Sequence, residues 1–479
     1  MIAFILSSKQ ITSELTIDFG DISPSHLPLA NDYLLNFQVK ELNRFCSDIY
    51  VSKRKVDKPY INSYGFHEFI VEENLNIKDL VIEILNSFQN EDVIFLYGDT
   101  LIKYPDDLHM NKSIIFSIGK LKIPYPNWYI LPDNSIMCGS FFINKELSSI
   151  ILSKKLNNTD SLLKTLVRNS DIIELKQSNW FDFGHFHTYY NSKRNFLETR
   201  SFNDIKSISK TFIEKSSKDI SKIVYEYNWL KSSHKLFPDL IPIVRNLNIK
   251  ESEIASYQIQ YFNMPSLSDV FVKGNHKNDI KLKIIKNLIR TIKKIQDSSI
   301  KKVGKNNFIL DKLVSRENEI LNFSNNLPTK SEIIKLINKN KLFFENKTFY
   351  ETIMHGDYCF SNILFDRRND TIKLIDPRGY LNKKEGYSFY GPYVYDYFKL
   401  GHSFIGSYDN IISGESSESI NLKEIKENLN FFVNETSISK DLLIHGMINL
   451  FLSMVPLHKD NSFRQQNFFK ISLKLDSLL

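Results

Sequence analysis

Two stretches in the last third of the chain carry residue types suited to chemistry: MHGDYCFSNILFD, Met354 to Asp366, and IKLIDPRG directly downstream. Asp357 and Asn362 stand five residues apart, and Asp376 follows Asp357 by nineteen. All three end in hard oxygen atoms, the donors magnesium takes when it rides on nucleotide phosphates. An Asp and an Asn in one loop, followed by a strand-like run ending in Asp-Pro, suit phosphoryl transfer. That reaction needs a group that orients the acceptor hydroxyl, oxygen ligands for a divalent ion, a cation on the donor phosphates and a pocket for the base.

The order HGDxxxxN…IDP resembles the aminoglycoside phosphotransferase and choline kinase family over roughly residues 200–479. The resemblance implies a bilobal, protein-kinase-like domain using ATP and Mg2+. In it Asp357 is the catalytic residue that meets the acceptor hydroxyl, and Asn362 and Asp376 hold magnesium. Lys215 in TFIEKSS resembles the strand lysine that contacts donor phosphates, and Glu226, eleven residues on, its ion-pair partner. YQIQYFNMPSLSDV resembles the linker whose backbone binds adenine, and Asp396 a family aspartate read as structural. His355 reads as a histidine bonded to backbone and Cys359 as filler. FNDIKSISKTF, ahead of Lys215, contains no glycine, so the phosphate-covering loop is not glycine-rich.

The first 200 residues raise a second possibility. IAFILSS, SPSHLPLANDYLLNFQVKEL, DVIFLYGDTL, CGSFFIN and NWFDFGHFHTYY follow the order of segments in sugar-nucleotidyltransferases, and resemble them. The resemblance implies a magnesium ion held by Asp99 and Asp182, with a nucleotide as possible ligand. The glycine-rich triphosphate loop of that family is degenerate here. Its place reads SSKQITSEL, with Lys9 and Ile11 at glycine positions and Ser13 where an arginine would neutralise the phosphates; Pro24-Ser25 replaces Pro-Lys. Side chains at glycine positions obstruct close backbone approach to phosphate. Either the two carboxylates are remnants on a scaffold that binds a partner or a sugar, or they serve an altered but active site.

The elements that must position these residues are legible as alternation. IAFIL, DIYVS, DVIFLYG, SIIFSIG and SIMCGSFFIN read as strands, and YLLNFQVKELNRF and IKDLVIEILNSF as helices between them. Such alternation predicts an α/β, Rossmann-like (GT-A-type) layer with a largely parallel sheet. Past residue 198 the pattern becomes α+β: a hairpin over SISKTFIEKSS, a helix over DISKIVYEYNWLKSS, strands near IPIVRNL and SYQIQYF, then mainly helix. The expected domains are 1–197, nucleotidyltransferase-like, and 198–479, phosphotransferase-like.

Bulk properties narrow the class. At 479 residues, 42% hydrophobic and 24% charged, the chain suits a soluble protein of two domains. Its net charge of +7 is uneven, since residues 281–350 hold 16 Lys/Arg against 6 Asp/Glu. Basic residues alternate there with Ile and Leu, which reads as the wet face of helices and argues against a nucleic-acid partner. Cys46, Cys138 and Cys359 lie far apart, fitting a reducing, cytoplasmic setting without disulfides or structural zinc. MIAFILSS lacks the basic flank and length of a signal peptide. LLIHGMINLFLSMVPL is interrupted by His445, Asn449 and Pro456, so a buried helix is expected in place of a membrane span. The expected function is an ATP-dependent phosphotransferase acting on the hydroxyl of a small molecule: a sugar, amino alcohol or polyol. Fusion to a nucleotidyltransferase-like domain resembles proteins of capsule and surface-polysaccharide biosynthesis. Two alternatives stand beside it: a bifunctional kinase and nucleotidyltransferase, and a non-catalytic nucleotide-binding scaffold of a glycan-assembly complex.

Overall fold

A computed structural model of the chain describes residues 1–57, 65–72, 75–120, 128–197, 204–250, 253–299, 302–304, 308–324, 330–378, 380–382, 386–418 and 420–479. These form two compact units, Met1–Leu197 with Lys273–Asn275, and Glu198–Val272 with His276–Leu479. The expected boundary near residue 198 falls in a stretch, 198–203, outside the described residues.

In the first unit seven strands form one sheet: β1 (Ile2–Leu6), β2 (Asp48–Arg54), β3 (His67–Val71), β4 (Val93–Tyr97), β5 (Ile114–Ile118), β6 (Ile136–Ile143) and β7 (Asp171–Leu175). The order is β7-β5-β6-β4-β1-β2-β3. Neighbours run parallel except that β6 is antiparallel to both β4 and β5. β1 shows why its residues are apolar throughout. Ala3 and Ile5 face a core shared with Leu35, Val39 and Leu42, while Ile2, Phe4 and Leu6 face another shared with Leu80, Ile84 and Leu85. A strand buried on both faces loses the alternation of a half-exposed one. β3 and β7 sit at the two edges, and their sequences HEFIV and DIIEL are largely exposed, so neither announces itself as a strand.

The second unit opens with a four-stranded antiparallel sheet of β8 (Asp204–Ser207), β9 (Phe212–Ser217), β10 (Val244–Lys250) and β11 (Ile254–Gln260), in the order β8-β9-β11-β10. Helix α1 (Ile220–Leu236) follows β9, capped by the Asp219 carboxylate, which accepts from Lys222 N–H at 3.0 Å. After the linker comes a larger, mainly helical part. A hairpin of β12 (Ile363–Asp366) and β13 (Thr371–Leu374) is set into it, with Ile363 opposite Leu374. Its turn closes on Asp366, whose carboxylate accepts from Arg368 N–H at 2.9 Å and the Asn369 amide at 2.7 Å. Three helices of this part matter below: α2 (Phe308–Val314), α3 (Tyr395–Phe404) and α4 (Lys440–Met454).

The stretch Lys440–His458 is long and apolar enough to cross a membrane, yet 78% of it is buried within the protein. His445 on α4 is inside too, at 4% exposure, with its ring stacked 3.9 Å from that of Phe343 and Nδ1 2.5 Å from Asn340 Oδ1. Burial, helped by Lys339, pushes its pKa down to about 4. The unfolded chain takes up this proton near pH 6.5, the native protein only near pH 4, so stability falls as pH drops between those values. Urea unfolding of wild type against His445→Gln at pH 7, 5.5 and 4 should show a steeper acid loss in wild type, by up to about 3 kcal/mol. Identical pH dependence would count against this buried neutral histidine.

Candidate functional site

The loop Met354–Asn362 is curled back on itself, and its own residues do the curling. Cys359 N–H donates to Asp357 C=O at 2.9 Å, and a single 3-10 turn spans Phe360–Asn362. Asn362 Nδ2 then reaches back to both the carbonyl and the Oδ2 of Asp357, each at 3.0 Å. The amide hydrogens of Asn362 are thus engaged on Asp357, which leaves Oδ1 as the side-chain atom able to ligate a cation. Hairpin register supplies the third residue. Asn362 directly precedes β12 and Asp376 follows β13 by two residues, so the pairing of Ile363 with Leu374 brings both to one end. Ile375 N–H donates to Asn362 C=O at 3.0 Å, and His355 Nε2 donates to Ile375 C=O at 3.0 Å. His355 therefore holds backbone together; burial lowers its pKa to about 4 and keeps it neutral. Asp376 itself has φ +56°, a left-handed conformation unusual for any residue before proline. Strain of this kind persists only where the surroundings enforce it.

Asp396 carries the loop. Its two carboxylate oxygens accept from the N–H groups of His355 at 2.8 Å and Gly356 at 2.9 Å. This is the structural role expected of it.

Lys215 and Glu226 are buried, at 4% and 1% exposure, and meet through Nζ and Oε1 at 2.5 Å. Lys215 Nζ also lies 2.6 Å from Asp376 Oδ1. Burial alone would lower the lysine pKa, but Asp376 and Glu226 outweigh it and keep the ammonium charged. Tyr257 braces the pair from the next strand, where it stands opposite Lys215, by donating from Oη to Glu226 Oε1 at 2.6 Å. A lysine shared between two carboxylates can release one of them to a metal when phosphate oxygens arrive to take its place.

Sequence reasoning missed the cations at Asp357. Lys399 Nζ, from α3, lies 2.9 Å from Asp357 Oδ1, and Arg378 Nε 3.4 Å from Oδ2. Burial raises the Asp357 carboxyl; Lys399 and Arg378 more than reverse that and hold it well below the usual carboxylate range. Arg378 stands two residues past Asp376, a signal that was there to be read. Lys399 is three residues past Asp396 and becomes visible only when α3 is placed.

In the first unit Asp99 lies two residues beyond the C-terminal end of β4, where α/β sheets present ligand sites. Asp182 is brought beside it by a short antiparallel pairing of Trp180–Asp182 with Thr100–Ile102, and Phe183 N–H donates to Asp99 C=O at 2.8 Å. A Cβ on Gly184 would come within 2.7 Å of Asp99 Oδ2, so the carboxylate rests against that glycine. Burial raises both acids, and the Asp99 charge lifts Asp182 further, to about 7. Asp182 Oδ2 is buried without a hydrogen-bond partner. A half-buried Asp99 beside a buried Asp182 with an unmatched oxygen fits a hard divalent cation. Asp99 borders a cleft of about 130 Å3 that Lys9, Gln10 and Thr12 also line. Ile11, expected to obstruct phosphate, packs with Leu15, Phe19 and Ile22 and also lines that cleft. Among the described residues no three His, Cys, Asp or Glu side chains cluster as a complete metal site. Magnesium bound through substrate phosphates needs only one or two protein oxygens.

No protein-family model and no curated protein matches the chain. Solved structures resemble it in parts. HddC from Yersinia pseudotuberculosis is 15% identical with a TM-score of 0.32, covering 41% of this chain and 99% of that one. A UDP-glucose pyrophosphorylase complexed with UDP-glucose gives 12%, 0.32, 41% and 97% in the same terms. A thermostable mutant of an aminoglycoside phosphotransferase, in ternary complex with AMP-PNP and hygromycin B, gives 13%, 0.38, 58% and 95%. Likenesses this distant leave function to be argued from side-chain geometry.

Replacing Asp396 with Ala leaves two buried N–H groups without an acceptor. Denaturant unfolding should show a loss of about 2–5 kcal/mol, with Asp396→Asn, which keeps an acceptor oxygen, losing less. A change below about 0.5 kcal/mol for the alanine variant would remove Asp396 from this role.

Proposed function

We propose that the second unit is an ATP-dependent phosphotransferase that moves a phosphoryl group to the hydroxyl of a small molecule. Asn362 Oδ1 and Asp376 would hold Mg2+ on the donor phosphates, and the ion supplies charge neutralisation there. Lys215, released from Asp376 while Glu226 keeps it in place, steadies the phosphates. Asp357 orients the acceptor hydroxyl. Its carboxylate stays ionised, and in a loose transition state it need only position the hydroxyl and take the proton late. The reading is supported above all by one observation: a single hairpin end joins the Asp357–Asn362 pair to the Asp376–Lys215–Glu226 chain. The protein would work where ATP is found, in the cytoplasm, on an acceptor destined for surface polysaccharide.

A second reading is favoured by the unmatched Asp182 Oδ2 beside Asp99. On it the first unit retains a cation and a nucleotide, and the protein both phosphorylates an alcohol and activates the product. Pyrophosphate released from a triphosphate and a phosphorylated acceptor, and lost in Asp99→Ala, is its expected signature.

For the phosphotransferase, Asp357→Asn should lower kcat about 10³-fold while the KM for ATP stays within about twofold. Undiminished transfer would refute the role of Asp357.

A further inference from the structure

The acceptor side of the site carries more positive charge than Asp357 can balance. Lys399 and Arg378 already flank this one carboxylate at 2.9 and 3.4 Å. Two more cations come from α2 and the turn after it. Lys312 Nζ lies 2.7 Å from Tyr395 Oη and 4.3 and 4.8 Å from the ring centres of Phe308 and Tyr395. Tyr395 is one turn before Lys399 on α3, so its ring and Lys399 share a face. Arg316 donates to Ser453 C=O at 2.5 Å. Charge repulsion links all four: Lys399, Arg378 and Arg316 each oppose the charge on Lys312, and burial opposes it most.

These four basic side chains outnumber the carboxylates that face them, which are Asp357, Asp396 near Lys399 and Glu319 near Arg316. The donor phosphates do not account for this excess. On the phosphotransferase reading Lys215 and a magnesium ion on Asn362 and Asp376 would already face them, and the ion pairs of Lys215 among the described residues are with Glu226 and Asp376. Arg378 points outward, its side chain 59% exposed, with Asp357 its one ion-pair partner among the described residues. A guanidinium in that state is built to meet a second oxyanion.

Resting on the phosphotransferase reading, we propose that the acceptor is an alcohol bearing its own oxyanion, a carboxylate or a phosphate monoester, bound by Arg378, Lys312 and Arg316 while Asp357 takes its hydroxyl. An amino alcohol would bring a fifth positive charge into the same space.

The test uses the full chain loaded with Mg2+ and AMP-PNP, so that the donor subsite is filled. Inorganic phosphate titrated by calorimetry should bind, and Arg378→Gln, at an exposed position that folding tolerates, should weaken it about tenfold; Arg316→Gln should do the same. With ATP in place of the analogue, four probes on one skeleton are compared: glucose, glucosamine, glucuronate and glucose 6-phosphate. Higher kcat/KM for the two anionic sugars supports the proposal, and their ranking separates carboxylate from phosphate. Phosphate binding that both variants leave unchanged, or a preference for glucosamine, overturns it. Phosphate binding lost in both variants, with no transfer to any acceptor, upholds the anion site and counts against phosphoryl transfer itself.

Discussion

Lys215 is a charge placed where water cannot reach it, and the second unit is arranged so that this is tolerable. Taking an ammonium out of water costs several kcal/mol unless good partners surround it. Here the partners come from three elements that sequence keeps far apart: Glu226 from α1, Asp376 from the end of a hairpin 161 residues on, and Tyr257, acting through Glu226, from the adjacent strand. Removing either carboxylate would leave the charge under-compensated, so sheet, helix and hairpin are held in one arrangement. Ion pairs of this kind seldom raise stability over an apolar core; their use lies in fixing position. A lysine fixed beside a strained aspartate is preorganised for an anion and a cation together, which is what a nucleotide with its metal brings.

A second balance operates at Asp357. There the partners are in excess, and the carboxylate is kept ionised by cations whose number suits more than one anion. The two halves of the site therefore differ in electrostatic sense. At the donor end two carboxylates share one lysine; at the acceptor end several cations share one carboxylate. On the proposed function a metal would complete the first and an anionic acceptor the second.

Local spacing made part of this legible. Asp357, Asn362 and Asp376 sit in one loop and one hairpin, so their separation in sequence is nearly their relation in space. Lys215 and Glu226 are likewise neighbours across a single turn between strand and helix. Lys399 and Lys312 were not legible, because each reaches the site through the packing of helices. Lys312 and Arg316 lay within a basic stretch read as a wet surface, and the helical period is the same whether a lysine faces solvent or an aromatic ring. The edge strands β3 and β7 were missed because half-exposed edges carry charged residues and lack the apolar runs that marked the central strands.

The account's central claim is that Asn362 and Asp376 share one divalent ion with a nucleotide. A crystal of the full chain grown with Mn2+ and AMP-PNP, phased so that manganese is located by its anomalous scattering, tests it directly. The account predicts a peak within about 2.0–2.6 Å of Asn362 Oδ1 and an oxygen of Asp376, with Lys215 turned from Asp376 to phosphate. Nucleotide bound at this site with manganese elsewhere, and Lys215 still held by both carboxylates, would contradict it.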